Sequence, residues 1–213
     1  MERTRILLAD DHTLFCTLLR KLLEPRYEVV GSVADGRMLL EAAVQVRPDV
    51  AVVDIGMPML NGLDAGRALK RMMPRLKLIY LTMNNNPDLA REAFQAGASA
   101  YLLKNSHPSE VLQAIHDALR GRSYVALEIR RAMEATFIRD PKALSRPQHL
   151  TERQREILQM MAEGHFMKEI VFVLHISQRT VRFHKFHIME ELGISTNAGL
   201  VQYAIKSGMI SAA

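Results

Sequence analysis

Four apolar runs in this chain end on groups that can do chemistry. RILLA (5–9) runs into Asp10 and Asp11, and VAVV (50–53) runs into Asp54. KLIYL (77–81) is followed by Thr82, and AYLL (100–103) by Lys104. Short runs of this kind read as buried strands, so each ends on a polar group that a purely structural strand does not need. In an open parallel sheet, ligands bind outside the carboxyl ends of the strands, so these five side chains from four strand ends fall on one edge. Three carboxylates there repel one another and lose hydration. A hard divalent cation, Mg2+ or Mn2+, removes that cost, with Asp11, Asp54 and the backbone carbonyl of Gly56 as ligands and Asp10 acting through water. Lys104 and Thr82 then hold an anion presented to Asp54. A phosphoryl group suits this set, since metal, ammonium and hydroxyl neutralise its oxygens while Asp54 attacks as nucleophile.

The elements that must position these groups follow from periodicity. Besides those four runs, EVVGSV (28–33) also reads as a strand. Between the strands lie segments with apolar residues three and four apart, such as HTLFCTLLRKLLE and GRMLLEAAVQV, with helix stops at Gly97 and Gly121. Five β–α units over residues 1–121 predict an α/β fold, a parallel sheet covered by helices on both faces. Residues 122–149 lose this rhythm: ALEIRRAMEATFI is helix-compatible and RDPKALSRPQH reads as a linker. Residues 150–213 read as all-α, four helices, the first opened by Thr151 and Gln154 at capping-box spacing and closed by Gly164. Within them, MKEIVFVLHISQRTVRFHKFHIMEELGIS is two helices joined by a tight turn, with Ser177 as N-cap of the second. That second helix suits the DNA major groove: Arg179 and Arg182 for bases or phosphates, Lys185 for phosphate, Thr180 and His184 as further polar contacts.

Composition sets bounds. The chain has 213 residues, 48% apolar and 24% charged, with a net charge of +5. The excess is +1 over 1–121, +3 over 122–149 and +1 over 150–213, so the hint of nucleic acid is carried by motifs and not by bulk charge. A run long enough to span a membrane is absent, and the N-terminus lacks the pattern of a secretory signal. The single cysteine, Cys16, is expected in the core, and a cytoplasmic setting is expected. His165, His175, His184 and His187 lack the partner ligands of a metal site.

Residues 3–121 resemble the receiver domain of two-component response regulators: the acid pair after the first strand, DIGMPMLNGLD after the third, LT after the fourth and YLLK after the fifth. The resemblance implies a flavodoxin-like, five-stranded sheet ordered 2-1-3-4-5, phosphorylation of Asp54 by a histidine kinase, and Thr82 with Tyr101 as a switch pair. One departure is Asn105, where many receivers have proline. Residues 150–213 resemble the LuxR-type helix-turn-helix domain, on LTERQREIL, KEI, RTVRFH and IMEELGIS. Together they are similar to NarL/FixJ-type response regulators, which implies a phosphorylation-dependent transcription factor that pairs as a homodimer on double-stranded DNA. No enzymatic activity is implied beyond self-phosphorylation and dephosphorylation. Departures from the LuxR-type pattern are Phe166 and Met167, the apolar stretch 170–173, Phe183 and Phe186 on the recognition helix, and Glu190 and Glu191 near its end. The two recognition-helix phenylalanines either touch thymine methyls or fill the core. The alternative function they raise is a phosphorylation-gated protein-interaction module with weakened DNA binding.

Overall fold

The computed structural model describes residues 3–139 and 150–210. Strands β1 (Arg5–Ala9), β2 (Glu28–Val33), β3 (Val50–Val53), β4 (Lys77–Thr82) and β5 (Ala100–Leu103) alternate with helices α1 (Thr13–Leu23), α2 (Gly36–Val46), α3 (Gly62–Met72), α4 (Pro87–Gln95) and α5 (Pro108–Leu119). A short strand β6 (Tyr124–Val125) and helix α6 (Leu127–Arg139) follow. The sheet is entirely parallel, in the order β2-β1-β3-β4-β5-β6. Alternate residues of each strand face opposite layers. Leu7, Ala51, Leu78 and Tyr101 pack with Leu39 of α2, Leu69 of α3 and Leu89 of α4. Ile6, Val52, Ile79 and Leu102 pack with Leu19 of α1 and Ile115 of α5. Both faces being covered is why VAVV reads as a continuous apolar run. Gly97 and Gly121, the expected stops of α4 and α5, have φ of +90° and +74°.

The strand count differs from expectation: there are six strands, not five. Tyr124 N–H donates to the Ser99 carbonyl and Ala126 N–H to that of Tyr101, which adds β6 beside β5. Two residues are too short to give a periodic signal, so tertiary pairing decides this strand. The Tyr124 hydroxyl donates to Glu110, and burial together with that acid raises its pKa to about 12. Helix α6 lays Ile129, fully buried, and Met133 into the cluster shared with α4. The linker expected over 139–149 lies outside the described residues, apart from Arg139 at the end of α6.

Helices α7 (Glu152–Ala162), α8 (Met167–Leu174), α9 (Gln178–Leu192) and α10 (Asn197–Lys206) form the second core, around Ile157, Leu158, Ile170, Val181, Ile188 and Leu200. The Thr151/Gln154 capping box is present, and the Ser177 hydroxyl accepts from Thr180 N–H to open α9. Cys16 is buried, as expected. Because α6 shares the receiver core, Ile129→Ala is expected to destabilise the fragment 1–139 by about 2–5 kcal/mol. A fragment ending at residue 121 is expected to melt lower than one ending at 139; chemical denaturation of the three fragments measures both.

Candidate functional site

The carboxyl edge of the sheet carries the acids. Ladder hydrogen bonds run one residue past the strands: Asp54 N–H donates to the Ala9 carbonyl at 2.8 Å and Lys104 N–H to that of Thr82 at 2.8 Å. These bonds hold the backbones of residues 54 and 104 in register with β1 and β4. Asp10 and Asp54 are buried, at 7% and 5% exposure, whereas Asp11 is exposed. Lys104 Nζ lies 2.7 Å from Asp10 Oδ2 and 2.7 Å from Asp54 Oδ2. Burial alone would depress the Lys104 pKa, but Asp54 and Asp10 outweigh it and hold it above its ordinary 10.5. A raised folded value means that, while the carboxylates are ionised, the lysine's contribution is undiminished up to its unfolded 10.5 and is lost only as pH climbs through the higher folded value. Gly56 N–H donates to Asp54 Oδ1 at 3.3 Å.

His12 was not among the residues singled out from the sequence, yet its Nδ1 lies 2.8 Å from Asp11 Oδ1 and 3.1 Å from Asp10 Oδ1. The ligand atoms of Asp10, Asp11, His12 and Asp54 all lie within 4.8 Å of one another. This donor set, rich in hard oxygens, fits a divalent cation of the Mg2+ class. Thr82 is buried, and its hydroxyl accepts from Asn84 N–H at 3.2 Å. The Tyr101 hydroxyl, inside the core, donates to the Asn84 carbonyl at 2.9 Å, and burial raises its pKa far above the usual phenol range. Both proposed switch residues therefore bear on Asn84 in the β4–α4 loop. Gly62, first residue of α3, sits so close to the Asp54 backbone that a Cβ there would lie 2.0 Å from the Asp54 carbonyl oxygen.

The same edge carries a second cluster that the sequence did not disclose. Arg155 of α7 is buried and donates to Asp64 of α3 from Nε at 2.9 Å and from Nη2 at 2.7 Å. Burial would raise the Asp64 pKa, but the Arg155 guanidinium overrides it and holds the carboxyl below its ordinary value. Gln159, fully buried, accepts from Asn61 N–H at 2.8 Å and donates to the Met57 carbonyl at 2.9 Å. Glu163 accepts from Met59 N–H at 3.3 Å, and Met59 has φ +66°, unusual for a side chain of that size. Arg71 with Glu152 and Arg37 with Glu156 extend the contact outward. Gly208 closes the other end: a Cβ there would meet Leu89 at 2.4 Å and Asn84 Nδ2 at 3.0 Å. The α-helical domain is thus docked on two of the loops that leave the acidic edge, β3–α3 and β4–α4. Partners 91 and 98 residues apart leave no local signal, so no sequence pattern could have paired them.

On α9, one stripe faces solvent: Arg179, Arg182, Phe183, Phe186 and Glu190, at the three- and four-residue spacing of a single helix face. Phe183 and Phe186 are 58% and 64% exposed, so of the two readings open at the sequence level, core filling is excluded. The other expected contacts lie off this stripe. Thr180 Oγ1 is 2.9 Å from Ser177 Oγ, within the cap. His184 is half-buried, its pKa depressed by burial and by Arg153. Lys185 lines a cavity with Ile170, Val181 and Leu200.

A parallel sheet with an acid-and-lysine pocket, joined to a helix-turn-helix domain, defines a phosphoacceptor module coupled to a nucleic-acid reader. The response regulator receiver domain matches residues 6–116, and the bacterial regulatory proteins of the luxR family match residues 148–204. The chain belongs to the response regulators of the NarL/FixJ type, which are phosphorylation-dependent transcriptional regulators. It is similar to the transcriptional regulatory protein MctR of Rhizobium johnstonii, 31% identical over 211 residues, 98% of this chain and 96% of that one. It is likewise similar to the oxygen regulatory protein NreC of Staphylococcus aureus, 32% identical over 214 residues, 97% and 99% of the two chains. Among solved structures, Salmonella typhimurium RcsB is 27% identical with a TM-score of 0.68, covering 97% of this chain and 99% of that one. RcsB from Salmonella enterica serovar Typhimurium, bound to a promoter with the phosphomimetic BeF3-, is 26% identical with a TM-score of 0.65, covering 95% and 98%.

Removing one partner of a buried ion pair costs about 3–5 kcal/mol. Asp64→Ala is therefore expected to undock the α-helical domain, read as loss of amide-exchange protection in α7 and a larger radius of gyration by X-ray scattering. The paired change Asp64→Leu with Arg155→Met, which removes both charges of this pair and leaves Arg67 paired with Glu92, is expected to restore most of the compaction. Gly62→Ala is expected to displace residue 54 and slow its phosphorylation at least tenfold, with the C-terminal core unchanged.

Proposed function

We propose that Asp54 accepts a phosphoryl group from a histidine kinase and that the resulting change at the carboxyl edge controls how the C-terminal helices engage DNA. The observation that carries this reading is the single ammonium of Lys104 shared between Asp54 and Asp10 at 2.7 Å. That arrangement supplies a nucleophilic oxygen on Asp54 and a cation already aimed at the incoming phosphoryl oxygens. Asp54 attacks phosphorus as the bond from phosphorus to the kinase histidine breaks, and the imidazole leaves with the bond's electron pair. Asp10, Asp11, Asp54 and the Gly56 carbonyl would hold Mg2+, which neutralises phosphoryl charge when bound. The Thr82 hydroxyl would turn from Asn84 to an oxygen of the aspartyl phosphate, and that release, with Tyr101, alters the β4–α4 loop.

The docked domain reads both loops. The β3–α3 loop is gripped at Met57, Met59 and Asn61, and Asn84 lies against Gly208. Phosphorylation shifts the population between docked and released arrangements. The released form pairs as a homodimer on two-fold related half-sites, with Arg179 and Arg182 contacting DNA. Among the described residues no helix is long and apolar enough to cross a membrane, and the cytoplasm is the setting proposed. The competing reading, a protein-interaction module, is favoured by one observation: Phe166, Phe172, Phe183 and Phe186 are all exposed.

A small-molecule phosphodonor with Mg2+ is expected to phosphorylate the wild type and not Asp54→Asn, as read by intact mass. In mobility-shift titrations on genomic fragments at several salt concentrations, the phosphorylated wild type is expected to bind at least tenfold more tightly than Asp54→Asn. Binding absent even at low salt would remove the DNA-dependent reading and leave the protein-interaction one.

A further inference from the structure

We propose that Phe183 and Phe186 are specificity residues that recognise the C5-methyl groups of thymines in the major groove. The proposal rests on the DNA-binding reading and deepens it. It begins from a thermodynamic oddity: the two rings stand 58% and 64% exposed on the helix that a helix-turn-helix domain presents outward. Neither contributes to the four-helix core, which is complete with Val181 and Ile188 from the opposite side of α9.

The rings are also held. His187 lies between them, its ring centroid 4.1 Å from Phe183 and 5.8 Å from Phe186. The His187 ring donates from Nδ1 to the Phe183 carbonyl at 2.9 Å, which orients the imidazole against the Phe183 ring and edge-on to that of Phe186. Aromatic side chains fixed in this way lose little entropy on binding and present a rigid apolar surface.

Charge decides what that surface meets. Arg179 and Arg182 share the stripe, Arg179 about one turn before Phe183 and Arg182 about one turn before Phe186, and among the ion pairs of the described residues no acid is seen with either. Two free guanidiniums beside two fixed rings match a polyanion that also offers small apolar groups. The major groove of DNA does so, through phosphates, base edges and the thymine methyl, the one apolar group on its floor. Glu190 ends the stripe at its far side, so the DNA-facing part is confined to residues 179–186.

The test needs no change to the protein. The full chain, phosphorylated with a small-molecule donor and Mg2+, selects duplexes from a random library. The preferred duplex is then resynthesised with deoxyuridine replacing thymidine one position at a time, which removes only the methyl group. Burying one methyl corresponds to about a threefold to fivefold gain in affinity. The wild type is expected to lose that much at two or more positions per half-site. Phe183→Ala and Phe186→Ala are each expected to bind the thymidine and deoxyuridine forms of their own position equally. Their salt dependence should stay as in the wild type, since Arg179 and Arg182 remain. Wild-type affinities equal for both forms at every position would overturn the proposal while leaving DNA binding intact. Failure of the wild type to select any duplex at low salt would overturn the DNA-binding reading itself, and this proposal with it.

Discussion

Two buried carboxylates on adjacent strands share one ammonium, and the receiver is organised around that shared charge. β1 and β3 are neighbours, so Asp10 and Asp54 emerge side by side at the edge. Two like charges about 4 Å apart at an effective dielectric of about 20 repel by on the order of 4 kcal/mol. Lys104, arriving from β5 across the intervening β4, cancels much of that repulsion at 2.7 Å from each. The pocket is therefore compact but electrically tense, and any divalent cation or phosphoryl group entering it must redistribute the Lys104 contacts. A site that can respond to a charge change has to be balanced in this way.

What makes the redistribution consequential is where the loops go. The β3–α3 loop starts at Asp54 and ends at Asn61, the N-cap of α3. Along its length, α7 and its C-cap Glu163 take hold of it three times, through the Met57 carbonyl, Met59 N–H and Asn61. Met59 is held at positive φ, a conformation that costs about 1–3 kcal/mol and persists only where its surroundings over-determine it. Its amide bonds to Glu163 and its side chain packs against the C-terminal core, so the docked domain supplies part of that restraint. Asp64 and Arg155 anchor the other side of the loop, reinforced by Arg67, which reaches both Asp64 and Glu92. Polar contacts are numerous in this interface beside the Met59 packing, which suits a contact that must form and release: breaking them exposes groups that water can solvate.

Docking through α7 and Gly208 leaves the outer stripe of α9 uncovered. The interface restrains where the recognition helix sits without burying the side chains that would read DNA. The low net charge of this domain, +1 over residues 150–213, means phosphate attraction contributes less than in a strongly basic reader. In the proposed reading, shape and apolar contact by the aromatic residues of the stripe offset that deficit.

Much of this was present in the chain itself. Period-two and period-3.6 patterning set the β–α alternation and its two covered faces, and the placement of Asp10, Asp11, Asp54, Thr82 and Lys104 at strand ends followed directly, because strand termini in a parallel sheet share an edge. Helix caps at Thr151 and Ser177 were equally legible, being local chemistry. Three features were not. The sixth strand is two residues long, formed by pairing with β5 and invisible to periodicity. The Asp64–Arg155 and Gln159–Asn61 contacts join residues about a hundred apart, and each looks in sequence like an ordinary helix-surface group. The two phenylalanines of α9 could be assigned to core or surface only once the packing of Val181 and Ile188 showed which side of the helix was already taken. Local order and strand-end chemistry depend on neighbours in the chain; docking, register at the sheet edge and helix orientation depend on which distant surfaces meet, and only the folded structure decides that.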